Sequence, residues 1–254
     1  MKTSPAIFYV PHPDDEAIGM AGSISKHREA GGQVYLVLLT DGYNEKTLRI
    51  LNGQVFCTWH KTIHQFSLTM EQLTWARKIE FISSANALGA DKTFIIGDGR
   101  GLPDVGSQGF KSYEHLVSGI REVARRFAST YPAARHHFTS GNTDPICLPR
   151  SRAAGSFQPT HMACYEAALS LREELKFLTF HRIYTYLTPP DKRKAPLALD
   201  LHPDWQSAKR AALSQYKQYQ PDLGRYAIGY HSTGALIDAA SADHREYMDP
   251  PPAS

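Results

Sequence analysis

The stretch from Ala6 to Thr40 constrains this chain more than any other. Ala6-Ile7-Phe8-Tyr9-Val10 is a short apolar run with β-branched and aromatic residues, the pattern of a buried strand. Ile18, Met20, Ala21 and Ile24 then recur at helical spacing from Glu16 to Ala30, and Gly31-Gly32 stops that helix. From Gln33 to Thr40 the chain reads Val-Tyr-Leu-Val-Leu-Leu, a strand covered on both faces. A strand–helix–strand unit of this length predicts two parallel strands joined by a right-handed crossover. Between the first strand and its helix lies His12-Pro13-Asp14-Asp15-Glu16. In open α/β sheets ligands bind at the carboxyl ends of the strands, which is where this cluster falls.

Imidazole and carboxylate together suit a divalent metal such as zinc. Acidic residues are also favoured at helix N-termini by capping and by the helix dipole. A cap, however, needs no stiffening, and Pro11 and Pro13 fix the backbone on both sides of His12. Three ligand-type residues this close do not all reach one ion, so one of the two aspartates is free for another task. A further donor lies far downstream. Gly141 to Pro159 is a connection of the length that is usually functional, and it ends in Gln158-Pro159-Thr160-His161. Met162, Tyr165, Ala168, Leu169 and Leu171 follow as the apolar positions of a helix. His161 thus repeats the setting of the first cluster, at a helix start after a strand edge. With His12 and Asp15 it makes up the three ligands of a catalytic zinc, leaving one position for water.

Further strands are predicted at Lys92–Gly97, Arg135–Ser140 and Arg182–Leu187, and helices at Thr69–Leu88, Tyr113–Thr130 and Asp204–Tyr219. Pro189–Pro203 reads as a surface connection. The sum is one α/β domain over residues 1–254, with a mostly parallel, Rossmann-like sheet and helices on both faces. Gly97-Asp98-Gly99-Arg100-Gly101 resembles a dinucleotide fingerprint, but Pro103, Gly106 and Gly109 prolong a loop where a phosphate turn would open into a helix. We read this loop as a border of the pocket, with Asp98 as a substrate contact. Asp41 reads equally as a turn residue and as a partner supporting a ligand. Arg77 and Glu80 stand three apart on the helix surface and pair there. His60 and His64 are four apart, but no acidic residue separates them as in His-Glu-x-x-His, so the pair is not read as a metal site. His231 reads as a buried or surface histidine rather than a pocket residue.

A net charge of +3 gives no case for a nucleic-acid or membrane surface, and no apolar run reaches membrane-spanning length. Three cysteines, Cys57, Cys147 and Cys164, form neither a disulfide framework nor a zinc-type pair spacing, which favours a reducing compartment, the cytoplasm. The N-terminus runs straight into a strand too short for a signal-peptide core.

The residues carry a resemblance to the LmbE-like, or PIG-L-type, zinc-dependent N-acetylglucosaminyl deacetylases. His-Pro-Asp-Asp-Glu after a strand, at positions 12 to 16, is the specific part. Leu38-Leu39-Thr40-Asp41-Gly42, the segment from Arg77 to Gly89, Lys209 to Tyr216 and Arg245-Glu246-Tyr247 also resemble the family, so the likeness spans nearly the whole chain. It implies removal of an N-acyl group from an amino sugar or related small molecule. It implies His12, Asp15 and His161 as zinc ligands and Asp14 as the general base that activates the attacking water. Arg77, Asp98, Arg150, Arg152 and Gln158 are the candidate substrate contacts, the two loop arginines because guanidinium binds carboxylate or phosphate in pairs of hydrogen bonds. The chain departs from the family at its second motif, usually His-Pro-Asp-His. Gln158 and Thr160 stand where the family has a histidine and an aspartate, and glutamine does not titrate. With that pair absent, either Asp14 acts as base and then as acid, or another residue takes over the proton transfer. Two alternatives remain: an amidase for a non-sugar conjugate, and a metal- or sugar-binding protein without catalysis. A nucleotide-binding α/β protein is a weaker third.

Overall fold

The computed structural model describes residues 4–141, 159–175 and 177–251, with Asp98 described by its backbone alone. Among these residues seven strands form one sheet, in the order β3-β2-β1-β4-β5-β9-β6. β1 (Ala6–Val10), β2 (Val34–Leu38), β3 (Lys92–Ile95), β4 (Arg135–Thr139) and β5 (Leu178–His181) are parallel. β9 (Arg245–Asp249) runs antiparallel to β5, and β6 (Leu197–Asp200) runs antiparallel to β9. A small hairpin of β7 (Tyr219–Gln220) and β8 (Arg225–Tyr226) stands apart from the sheet.

The alternation along β1 builds two cores. Ala6, Phe8 and Val10 join Leu36 and Leu38 on one face, under α1 (Ala21–Glu29), α3 (Met70–Ala87), α7 (Pro203–Gln215) and α8 (Ile228–Ala242). Ile7 and Tyr9 join Val37 and Leu39 on the other, under α5 (Tyr113–Thr130) and α6 (Pro159–Ser170). Such two-faced burial explains why both strands read as unbroken apolar runs. Two shorter helices, α2 (Glu45–Leu51) and α4 (Ile96–Gly99), lie in the connections.

The chain steps outward from β1 to β2 to β3, then returns to place β4 on the other side of β1. This reversal opens a crevice beyond the carboxyl ends of β1 and β4, the standard ligand position in such sheets. Both halves of the predicted site follow from it. The segment after β1 carries His12, and α6, next after β4 among the described helices, carries His161.

Several expectations are corrected. The fifth strand is Leu178–His181, and Tyr184–Leu187 is a 3₁₀ turn instead. Its alternating aromatic and β-branched residues look like a strand, but Tyr186 turns into the core and its hydroxyl donates to the Arg245 carbonyl at 3.0 Å. The Pro189–Pro203 connection contains β6, and the helix expected to start after His161 starts at Pro159. The π-helical turn Glu16–Met20 precedes α1, and it is held from inside. Glu16 is fully buried and accepts hydrogen bonds from Ser84 (2.5 Å) and Tyr216 (2.6 Å). A side chain at Gly19 would strike Ile183, so the turn lies tight against the next element. Single π turns of this kind are frequent at functional sites.

Candidate metal centre and pocket

Three donor atoms converge at the crevice. His12 Nδ1 lies 3.0 Å from His161 Nε2 and 3.5 Å from Asp15 Oδ2, and His161 Nε2 lies 3.1 Å from the same Oδ2. Donors bound to one tetrahedral zinc at about 2.0–2.1 Å stand about 3.3–3.4 Å apart, so the triangle has the size of one zinc face. The main-chain N–H of His12 also donates to Asp15 Oδ2 at 2.9 Å and fixes that carboxylate.

The second nitrogen of His12 is occupied. Its Nε2 lies 2.9 Å from Asp104 Oδ2, and the Thr160 hydroxyl donates to Asp104 Oδ1 at 2.5 Å. A carboxylate on the far nitrogen sets the tautomer of a metal-binding histidine and raises its basicity. Asp104 is buried and comes from the loop after α4. That loop lies against the end of β2: Leu102 N–H donates to Leu39 and Asp41 N–H donates to Leu102. Gly101 makes the approach, since a side chain there would lie 2.3 Å from the Thr40 carbonyl carbon. Asp41 Oδ1 accepts the N–H groups of Tyr43 and Asp104, so it supports the ligand shell at one remove.

Asp14 turns away from the triangle, and its backbone takes φ +135°, a strained conformation outside glycine. Its Oδ2 accepts from Arg77 Nη2 at 3.1 Å and from the Thr233 hydroxyl at 2.9 Å. Arg77 is not the surface partner of Glu80 that the helix position suggested. It is buried and also donates to the carbonyls of Gly42 and Pro13. Glu80 instead accepts the N–H groups of Ile228 and Gly229 at 2.6 and 3.0 Å, fixing the first turn of α8. The aspartate–arginine–threonine set faces a cavity of about 310 Å³ lined also by His12, Asp15, Asp104, Tyr43, Asn44 and Tyr184.

The charges suit a cation. Burial opposes a proton on His12, but Asp104 and Asp15 outweigh it and hold the imidazole at about 10. Burial also pushes Asp15 upward, yet His161 and His12 overcome it and keep the carboxyl well below the usual range. Asp14 behaves differently. Burial raises it to about 6, against Arg77 and with help from Asp15. Two adjacent carboxyl groups are thus driven apart, one firmly ionised and one able to exchange a proton near neutrality.

Of the predicted substrate contacts, Arg77 borders the cavity. Asp98 falls within α4, and its side chain is not described. Arg150, Arg152 and Gln158 lie outside the described residues. Asp104 and Thr233 were missed. Asp104 sits in the glycine-rich loop already read as a pocket border, so its loop was legible and its role was not.

Residues 7–171 match the family PIG-L: GlcNAc-PI de-N-acetylase. The chain belongs to this family. The PIG-L proteins are zinc-dependent deacetylases acting on amides, and membership brings that activity and that metal to this chain. Among solved structures, the zinc-inhibited form of teicoplanin deacetylase Orf2 is similar at 14% identity, covering 96% of each chain with TM-score 0.62. The N,N'-diacetylchitobiose deacetylase of Pyrococcus horikoshii shares 17% identity over 98% of this chain and 84% of its own, with TM-score 0.58. GalB, the 4-carboxy-2-hydroxymuconate hydratase of Pseudomonas putida, shares 16% identity over 99% and 98%, with TM-score 0.55. Identities this low show a common fold. A comparison with the curated proteins finds no match. No helix among the described residues of this PIG-L protein is long and apolar enough to cross a membrane.

Proposed function

We propose that this PIG-L protein hydrolyses an N-acetyl or related N-acyl amide on an amino sugar or similar small molecule, at the site formed by His12, Asp15, His161 and Asp14. One observation carries the reading: three metal-type donors form one zinc-sized face, with an ionisable carboxyl beside it on the same cavity. His12, Asp15 and His161 would hold the zinc. The bound ion supplies a Lewis acid that acidifies a water and polarises the acyl carbonyl.

This chain's own groups do the rest. Asp14 takes the proton of the attacking water, and Arg77 and Thr233 hold its carboxylate in place. The departing amine must leave protonated, and Asp14 then carries the proton for it. His137 and His231 are not candidates for that task. His137 stacks on Phe8 within the sheet and pairs with His181, while His231 belongs to a separate cluster. The neutral-to-acidic poise of Asp14 suits a group that acts as base and then as acid. The reading includes a single domain and a cytoplasmic location, the latter supported by cysteines that form no disulfide framework in the sequence.

The test is a panel of N-acetylated amino sugars and non-sugar N-acyl conjugates incubated with the zinc-loaded protein, following free amine and released carboxylate. Equimolar amine and acetate from an amino sugar supports the reading. Turnover confined to non-sugar conjugates replaces it with an amidase. Tight binding without release replaces it with a binding protein. Hydration of an unsaturated acid, as in the GalB neighbour, would release neither product and would overturn it.

A further inference from the structure

The site above leaves one donor cluster unused. Cys57, His60, His64 and His231 each offer a ligand atom, and these atoms all lie within 4.8 Å of one another. The His60–His64 pair lacks the acidic neighbour of a His-Glu-x-x-His site. The fold supplies a thiol and a third imidazole instead. We propose that these four residues form a second metal centre, a closed Cys-His₃ zinc site that fastens the 57–64 segment to the start of α8.

Two edges of the cluster agree with one tetrahedral ion, and all four donors lie within 4.8 Å of one another. With Zn–S about 2.3 Å and Zn–N about 2.0–2.1 Å, the sulfur–nitrogen and nitrogen–nitrogen edges come to about 3.6 and 3.4 Å. Cys57 Sγ lies 3.7 Å from His60 Nδ1, and His60 Nδ1 lies 3.2 Å from His64 Nε2. The cluster holds a thiolate-type sulfur and imidazoles, the donor set that selects zinc, and four protein donors leave no position for substrate.

The outer partners orient these rings toward a common centre. His231 Nδ1–H donates to the Ala227 carbonyl at 2.8 Å, which leaves its Nε2 with a lone pair. That Nε2 is buried and has no hydrogen-bond partner, a costly state that a metal would relieve. His64 Nδ1 lies 3.1 Å from the Tyr219 hydroxyl, which turns its Nε2 inward. The N–H of His60 points at Cys57 Sγ at 3.3 Å, as a main-chain donor does for a thiolate. Cys57 and Thr62 pair their backbones across a turn in which Lys61 takes φ +52°. Trp59 covers the cluster, with its ring 5.2 Å from that of His231.

The location gives this site a purpose. His231 is followed by Ser232, which accepts from Asn44 Nδ2 at 2.7 Å, and by Thr233, which holds Asp14. α8 loses helical geometry at Thr233 (φ −132°, ψ 27°). The metal would therefore fix the bend that carries Thr233 to the carboxylate. It acts as a positioning element, not a catalytic one.

The experiment measures metal on the full chain, loaded with zinc and freed of excess, and then repeats it with Co²⁺. The expected result is about two equivalents per chain and a thiolate-to-cobalt charge-transfer band. Cys57→Ser and His231→Gln, changed on separate segments, should each lower the content to about one and abolish the band, with kcat reduced several-fold. His161→Ala should lower the content by one and keep the band, so failure here is distinct from failure of the hydrolase reading. One equivalent in the parent chain, removed by His161→Ala, with no thiolate band, would overturn the proposal. So would a band that persists in Cys57→Ser.

Discussion

Two groups of metal-type donors stand among the described residues, and their construction differs. His12, Asp15 and His161 include a carboxylate and stop at three donors, and His12 and Asp15 line a cavity. Cys57, His60, His64 and His231 replace the carboxylate with sulfur, face one another and number four. A three-donor face leaves room for substrate and water, whereas a four-donor shell excludes both. The supporting residues differ likewise. A buried aspartate backs His12, while the main-chain carbonyl of Ala227 and the hydroxyl of Tyr219 back His231 and His64. The first site is built to modulate reactivity and the second to hold geometry.

The largest effect expected comes from opening the first cluster. His161→Ala, or His12→Ala, should remove the metal there and take hydrolysis to background, measured by metal content and amine release together. Retained zinc with full stoichiometry in both variants would break the distinction between the sites. Next comes Asp14→Asn, which should keep zinc and lose roughly 10²–10⁴-fold in kcat, the span of a general base. If the metal leaves with the carboxylate, the two aspartates have the opposite roles.

A smaller change is expected at Asp104. Asp104→Asn should weaken zinc binding by about 10–100-fold in a chelator competition, as removal of a histidine's outer carboxylate does. Unchanged affinity would detach Asp104 from the function of His12. Thr160→Asp restores the family's usual residue, yet it should weaken this site as well. It replaces a hydroxyl donor to Asp104 with a second carboxylate in the same place. Thr160→Ser, which keeps the donor, should be close to neutral, and an improved site in Thr160→Asp would refute the account. The smallest effect is predicted for Thr233→Val. It deletes one of the hydrogen bonds that hold Asp14, with Arg77 still in place, and should lower kcat several-fold without changing either metal equivalent.

How much of this was legible depended on whether the signal was local. β1, the acidic cluster and β2 follow from one short stretch whose apolar spacing is decided by two-faced burial, so they read cleanly. His161 read as a partner because it repeats the same local setting. Arg77 read as a substrate contact, but its burial against Asp14 did not, because a charged residue on an amphipathic helix is ordinarily solvated. It is buried here through Asp14 and two carbonyls that arrive from a different segment. Asp104 depended on a close backbone approach that glycine permits at position 101. The edge strand β6 and its neighbour β9 are short and carry Asp200, Arg245 and Glu246, which masks the alternation that marks a strand. Cys57 and His231 have no shared sequence motif, and their meeting is purely tertiary.

The Cys57–His64 segment has a consequence for folding order. Three of its four donors are near neighbours in the chain, whereas His12 and His161 are separated by 149 positions. The local three can capture zinc while the rest of the polypeptide is still unfolded, and the catalytic ligands cannot meet until β4 has docked beside β1. A metal that also binds the unfolded chain contributes less to stability than its affinity for the native state suggests. The four-donor centre thus stabilises the native fold by less than its native affinity suggests, and its value lies in holding the 57–64 segment ready until α8 arrives with the fourth ligand.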